Sequence, residues 1–254
     1  MRTVFITGAS SGIGAACAAV LAREGKYRLL LCARRLQRLE ELQQQLHEIA
    51  PQCETYIFEL DVRNAEEVEQ KLQQLPAEWQ SIDVLLNNAG LSQGLDPIHR
   101  GDIGDWDRMI DTNVKGLLYV TRQVIPLMES SQAPHIINLG SIAGKEVYPN
   151  GNVYCATKHA VDALTQAMRI DLLEKGIKVT SVDPGMVETE FSEVRFKGDK
   201  ERAKNVYQGL TPLSGIDIAE IIAFVLSRPA HVNINDLLVM PTAQASGTVV
   251  KRGS

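Results

Sequence analysis

The run Thr3-Val4-Phe5-Ile6-Thr7 leads into Gly8-Ala9-Ser10-Ser11-Gly12-Ile13-Gly14, and an Ala- and Cys-rich stretch from Ala15 to Glu24 follows. The β-branched and aromatic run predicts a strand, the stretch behind it a helix ended by Gly25, and the glycines a tight turn between them. Strand, turn and helix in that order form a phosphate cradle. The glycines let the backbone approach a pyrophosphate, and the helix N-terminus offers free N–H groups and a positive dipole end. The spacing is GxxxGxG, not GxGxxG, so the position straight after the first strand carries the reading. Gly8, Ser10, Ser11, Gly12, Ile13 and Gly14 are therefore candidate cofactor contacts.

The rest of the chain keeps alternating. Apolar runs at 27–33, 54–60, 82–86, 136–139, 177–182 and 237–240 predict six more strands. Leucines at 36, 39, 42 and 46 give a helix with one buried stripe, and Asn64 caps another that runs through Leu75. Further helices are expected within 106–128 and over 151–174 and 218–226. Segment 91–105 reads as a loop, and 186–209 loses its periodicity, carries many charges and is the expected substrate loop. No linker or repeat divides the chain. The expectation is an α/β fold: a single doubly wound Rossmann-type domain over 1–254, with a central parallel sheet and helices on both faces.

Composition narrows the function classes. A net charge of -5 gives no footprint for nucleic acid. No apolar run nears the roughly 20 residues needed to span a bilayer, and the N-terminus lacks a signal-peptide pattern. The four cysteines have no metal-ligand spacing, so no metal is expected. A cytoplasmic location is the default.

Chemistry collects at strand ends. An acidic residue after the second strand would accept from the ribose hydroxyls of NAD. Arg34 and Arg35 stand there instead, and guanidiniums suit the extra phosphate of NADP; the alternative is two solvated arginines opening a helix. Asp61 and Val62 end the third strand, and Asn87-Asn88-Ala89-Gly90 can bring backbone close to a ribose. Asn113 is a poor choice within a helical pattern. It either holds a carbonyl or water, or is a satisfied buried amide. Tyr154 and Lys158 share one helix face, and a nearby ammonium lowers a phenol pKa from about 10. Ser141, from the end of the preceding strand, offers a hydroxyl to a substrate oxygen. The bland alternative puts Tyr154 and Lys158 on a solvated face.

Together TGASSGIG (Thr7 to Gly14), Asp61-Val62, NNAG (Asn87 to Gly90), Asn113, Ser141, YxxxK (Tyr154 to Lys158) and Pro184-Gly185 resemble the short-chain dehydrogenase/reductase family over almost the whole chain. The resemblance implies a catalytic tetrad of Asn113, Ser141, Tyr154 and Lys158. In it Lys158 hydrogen-bonds the nicotinamide ribose and lowers the Tyr154 pKa, and Asn113 holds a water joining Lys158 to solvent. It also implies cofactor contacts from the glycine loop, from Asp61 and Val62 at the adenine, from Asn88, Ala89 and Gly90 at the ribose, and from Pro184, Gly185, Val187 and Thr189 near the nicotinamide. A homotetramer, packed through the helices around Asn113 and Tyr154, is implied too. GNVYCATK (Gly151 to Lys158), VETEFSEVRFKGD (Val187 to Asp199), AKNVYQ (Ala203 to Gln208) and PAHVNINDLLVMPTAQAS (Pro229 to Ser246) are similar to the NADP-dependent 3-hydroxy acid dehydrogenases within the family. These include serine, allo-threonine and malonic semialdehyde enzymes. The carboxylate of such a substrate needs a partner once desolvated. Arg195 is the candidate, with Lys197 and Lys204 beside it; a solvated charge on a mobile lid is the alternative. Two other readings stay open: a reductase of an uncharged ketone or acyl thioester, and a non-catalytic NADP-sensing protein.

Overall fold

Successive apolar residues in a strand point to opposite faces, and in this chain both faces are covered. The structure is a computed structural model and describes residues 1–253. Seven strands form one parallel sheet: β1 (Arg2–Thr7), β2 (Tyr27–Ala33), β3 (Thr55–Glu59), β4 (Val84–Asn87), β5 (His135–Leu139), β6 (Lys178–Pro184) and β7 (Asp236–Val239). Their order is β3-β2-β1-β4-β5-β6-β7. The helices are α1 (Gly12–Arg23), α2 (Leu36–Ile49), α3 (Ala65–Gln73), α4 (Ile103–Ile110), α5 (Leu117–Val124), α6 (Asn152–Asp171), α7 (Phe191–Arg195), α8 (Lys200–Asn205) and α9 (Gly215–Leu226).

Val4, Ile6, Leu29 and Leu31 face α1, α2 and α9, meeting Leu21, Leu39 and Ile222. Phe5, Leu30, Leu85 and Ile136 face the other way, toward α3, α5 and α6, meeting Val68, Val120 and Val161. Every one of these side chains is buried, and each contributes about 1.5–3 kcal/mol by leaving water. The strand order runs outward from β1 in one direction and from β4 in the other. In open parallel sheets ligands bind where the order reverses, beyond the C-terminal strand ends.

Three stretches differ from expectation. Helix α4 begins inside the predicted loop, because Asp102 caps it by accepting from the Asp105 N–H at 3.1 Å. The helical stretch beyond Trp106 is one continuous rod with a π-helical turn at Asp111–Gly116. Segment 186–209 is ordered: Val187–Glu188 pairs with Leu213–Ser214, and α7 and α8 follow. These helices are too short to show a period in sequence.

Candidate active site

At or just beyond their ends, strands β1, β4, β5 and β6 carry small or polar residues (Gly8, Asn87, Gly140, Gly185), and their C-terminal edge opens into a cleft of about 600 Å³. Gly8 makes the first turn possible. Its φ is +66°, and a Cβ there would lie 2.9 Å from the Ala89 Cα. Of the site residues marked from the sequence, Gly14, Asn113, Lys197 and Lys204 do not line the cleft and the others do. Gly14 packs behind the wall, where a Cβ would meet the Asn88 Nδ2 at 2.5 Å and the Gly8 carbonyl oxygen at 2.7 Å. Its role is close packing of turn against strand.

Asn88 lines the cleft and also braces its first turn. Its Nδ2 donates to the carbonyls of Thr7 at 2.8 Å and Gly8 at 3.0 Å, pinning the glycine turn. Asp61 is held by Arg63, whose Nε lies 2.9 Å from Oδ1. That hydrogen bonding keeps its carboxyl below the usual carboxylate range. Arg35 reaches Ser11 Oγ at 3.1 Å and Glu190 at 2.9 Å, while Arg34 has no ion-pair partner among the described residues.

Asn113 sits in the π-helical turn, a feature common at functional sites. Its side chain clamps Leu91 on both sides: Oδ1 accepts from the Leu91 N–H and Nδ2 donates to the Leu91 carbonyl, both at 2.8 Å. Nδ2 also donates to Thr157 Oγ1 at 3.0 Å. The amide is buried, with Oδ1 and Nδ2 both partnered by protein groups. The amide fixes the loop after β4 to α6.

Ser141 follows β5 and is held by Asp183, whose Oδ1 accepts the Ser141 N–H at 3.0 Å. A Cβ on Gly140 would fall 1.7 Å from that oxygen, so only glycine fits beside it. Lys145 pairs with Asp162 at 2.6 Å, with Asp236, and with Asp183 at 3.6 Å. Burial nevertheless pushes Asp183 up to about 6.

Tyr154 and Lys158 lie buried on the cleft side of α6, 8% and 7% exposed, which rules out a solvated face. Burial pushes the phenol above its ordinary 10, and the Arg195 charge and then the Ser141 hydroxyl oppose this. Arg195 is thus a cation acting on the phenol that the i, i+4 spacing does not reveal. The Lys158 ammonium donates to the Leu139 carbonyl at 2.7 Å. Its own pKa is pushed down by burial to about 8, with Asp183 opposing.

Arg195 stands over the phenol. Its guanidinium carbon is 5.2 Å from the ring centroids of both Tyr154 and Phe191. Nε donates to Ser92 Oγ at 3.0 Å, and one terminal nitrogen donates to the Tyr148 hydroxyl at 2.8 Å. No carboxylate pairs with it among the described residues. The other two cations do not reach the cleft: Lys197 pairs with Asp105 at 2.9 Å, and Lys204 lies 4.0 Å from Glu201. Phe191 packs edge-on against Tyr154 at 5.6 Å. Sequence reasoning missed Ser92, Tyr148, Phe191 and Asp183, none of which carries a motif of its own. Among the described residues no group of three His, Cys, Asp or Glu side chains is placed to hold a metal ion, and no helix is long and apolar enough to cross a membrane.

A buried phenol, an ammonium and a hydroxyl thus stand together in a glycine-cradled cleft. The profile of the short chain dehydrogenases matches residues 2–200. The chain belongs to the short chain dehydrogenase family. Within the short chain dehydrogenases it is 45% identical over 243 residues to the NADP-dependent 3-hydroxy acid dehydrogenase YdfG of Escherichia coli O6:H1, covering 95% of this chain and 96% of that one. It is 44% identical over 243 residues to sulfoacetaldehyde reductase 2 of Chromohalobacter salexigens, covering 95% of each. A solved closed form of serine dehydrogenase complexed with NADP+ superposes with a TM-score of 0.91 at 42% identity, over all of both chains.

Proposed function

We propose that this short chain dehydrogenase is an NADP-dependent oxidoreductase that moves a hydride between NADP(H) and carbon 3 of small 3-hydroxy acids of the serine, allo-threonine and 3-hydroxypropionate type. One observation carries the substrate class: Arg195 presents an unpaired guanidinium in the cleft, 5.2 Å from the Tyr154 ring. A guanidinium grips a carboxylate through charge-assisted hydrogen bonds. A short hydroxy acid so held places its hydroxyl by the phenol.

The residues present suit the cofactor. The glycine turn ends at the N-terminus of α1, and Arg34, Arg35, Ser10 and Ser11 gather donors at the cleft's outer end. NADP, when bound, supplies the hydride acceptor or donor. The chain supplies orientation and proton handling. In oxidation the Tyr154 phenolate takes the hydroxyl proton, and in reduction the phenol returns it to the developing alkoxide. The Ser141 hydroxyl orients the same oxygen. Lys158 serves the ribose side and keeps positive charge behind the phenol. Asn113 acts through Leu91 and Thr157. Segment 186–209 acts as a lid carrying Phe191 and Arg195.

A cytoplasmic homotetramer belongs to the same reading. Four buried free cysteines suit a reducing compartment. Exposed Ile110 and Leu118, on the helices flanking Asn113, suit burial between subunits; sedimentation velocity tests the assembly.

The relationship to a sulfoacetaldehyde reductase supports a second reading, since Arg195 can hold a sulfonate as it holds a carboxylate. The test is initial-rate oxidation of L-serine, L-allo-threonine, 3-hydroxypropionate, 2-hydroxyethanesulfonate and a neutral secondary alcohol, each with NADP+ and NAD+. Turnover of the carboxylic acids with NADP+ supports the proposal. A preference for the sulfonate supports the second reading. Turnover of the neutral alcohol alone removes the anionic substrate class.

A further inference from the structure

One part of the cleft brings two arginines and two serine hydroxyls together with a carboxylate. Ser10, Ser11, Arg34, Arg35 and Glu190 all line it. Arg35 donates to Glu190 at 2.9 Å and to the Ser10 and Ser11 hydroxyls at 3.4 and 3.1 Å. Glu190 comes from the far side of the cleft, 155 residues along the chain, at the foot of α7. Both side chains keep water access, at 48% and 40% exposure, so a solute phosphate can reach the pair. Hydrogen bonding from Arg35 holds the Glu190 carboxyl below its usual range, with burial opposing.

We propose that Glu190 is a built-in competitor for the 2′-phosphate of NADP: its carboxylate occupies the Arg35 guanidinium, and the phosphate must displace it to bind. This rests on the assignment of Arg34 and Arg35 to that phosphate. Glu190 therefore weakens NADP binding and narrows the discrimination against NAD, which has no phosphate to compete. If Glu190 instead braces Arg35 in the binding geometry, its removal loosens the guanidinium and weakens NADP. The two roles predict opposite signs.

The test is calorimetric titration of NADP+ and NAD+ into the wild-type chain, Glu190→Gln, Arg35→Met and the double variant. An exposed ion pair is worth about 0.2–1 kcal/mol. Glu190→Gln should therefore tighten NADP+ binding roughly 1.5- to 5-fold and leave NAD+ unchanged. Arg35→Met should weaken NADP+ and abolish the gain from Glu190→Gln. The gain should shrink in high salt as the pair is screened. Unchanged or weaker NADP+ binding in Glu190→Gln, with Arg35→Met still impaired, overturns the competition but keeps the phosphate site. Wild-type NADP+ affinity in Arg35→Met overturns both.

Discussion

Replacing Arg195 by methionine keeps the bulk of the side chain against Tyr154 and Phe191 and removes the charge. A guanidinium has five N–H groups. Two are engaged by Ser92 and Tyr148, which leaves three for a substrate. One or two charge-assisted hydrogen bonds at about 1.5–3 kcal/mol each are at stake. Because Arg195 is only half-buried, a loss of about 2–3 kcal/mol is the reasonable expectation, or roughly 30- to 150-fold in kcat/KM for a 3-hydroxy acid. The loss should fall on KM more than on kcat. The same charge opposes the burial that lifts the Tyr154 phenol. Without it the phenol pKa rises, less phenolate is present at a given pH, and the rising limb of the oxidation profile moves to higher pH. The assay is NADPH formation against pH for 3-hydroxypropionate and for its neutral amide. The acid should lose its advantage over the amide, and both should show the shifted limb. An acid kcat/KM within experimental error of wild type would refute the carboxylate contact. An unshifted limb would refute the electrostatic one.

Three further outcomes are expected. Tyr154→Phe should lower turnover by about 10²–10⁴-fold, the usual share of a general acid–base group, while calorimetry finds NADP+ binding intact. Asn113→Ala leaves the buried Leu91 N–H and carbonyl without partners; it should cost about 2–3 kcal/mol and lower the melting temperature by roughly 5–10 °C in a thermal scan. His135 is 1% exposed, and burial, then the Lys178 and Arg2 charges, push it down from 6.5 to about 3. Below pH 6.5 the unfolded chain takes up a proton there that the folded chain refuses, so stability falls with pH until about 3. Urea unfolding should show about 2 kcal/mol of this loss between pH 7.5 and 5, absent in His135→Gln.

What the sequence could convey depended on the range of the interaction. Alternating pairs such as Phe5 and Ile6, or Leu30 and Leu31, reveal a two-sided sheet because burial acts residue by residue. The seven strands were legible for that reason, and the glycine turn because it needs a conformation other residues resist. Asn64 was legible as a cap, since its partner Glu67 is three residues away. The start of α4 was hidden by the Gly- and Asp-rich composition around Asp102. The identity of the cation over the phenol was hidden differently. Spacing brings Lys158 beside Tyr154 on the helix surface, where its ammonium also donates to the Leu139 carbonyl at the end of β5. Arg195 reaches the phenol from 41 positions further on, through the packing of α7 against Tyr148 and Ser92. Contacts of that kind, like that of Asp183 with Ser141, exist only once the sheet has assembled.

The most direct test of the central claim is the fate of the C3 hydrogen. The chain would be given NADP+ and 3-hydroxypropionate carrying two deuteriums at carbon 3, and the reduced cofactor weighed by mass spectrometry. Hydride transfer from carbon 3 predicts NADPH heavier by one deuterium, with a slower initial rate than the unlabelled acid. Unlabelled NADPH, or none from any of the 3-hydroxy acids, would contradict it.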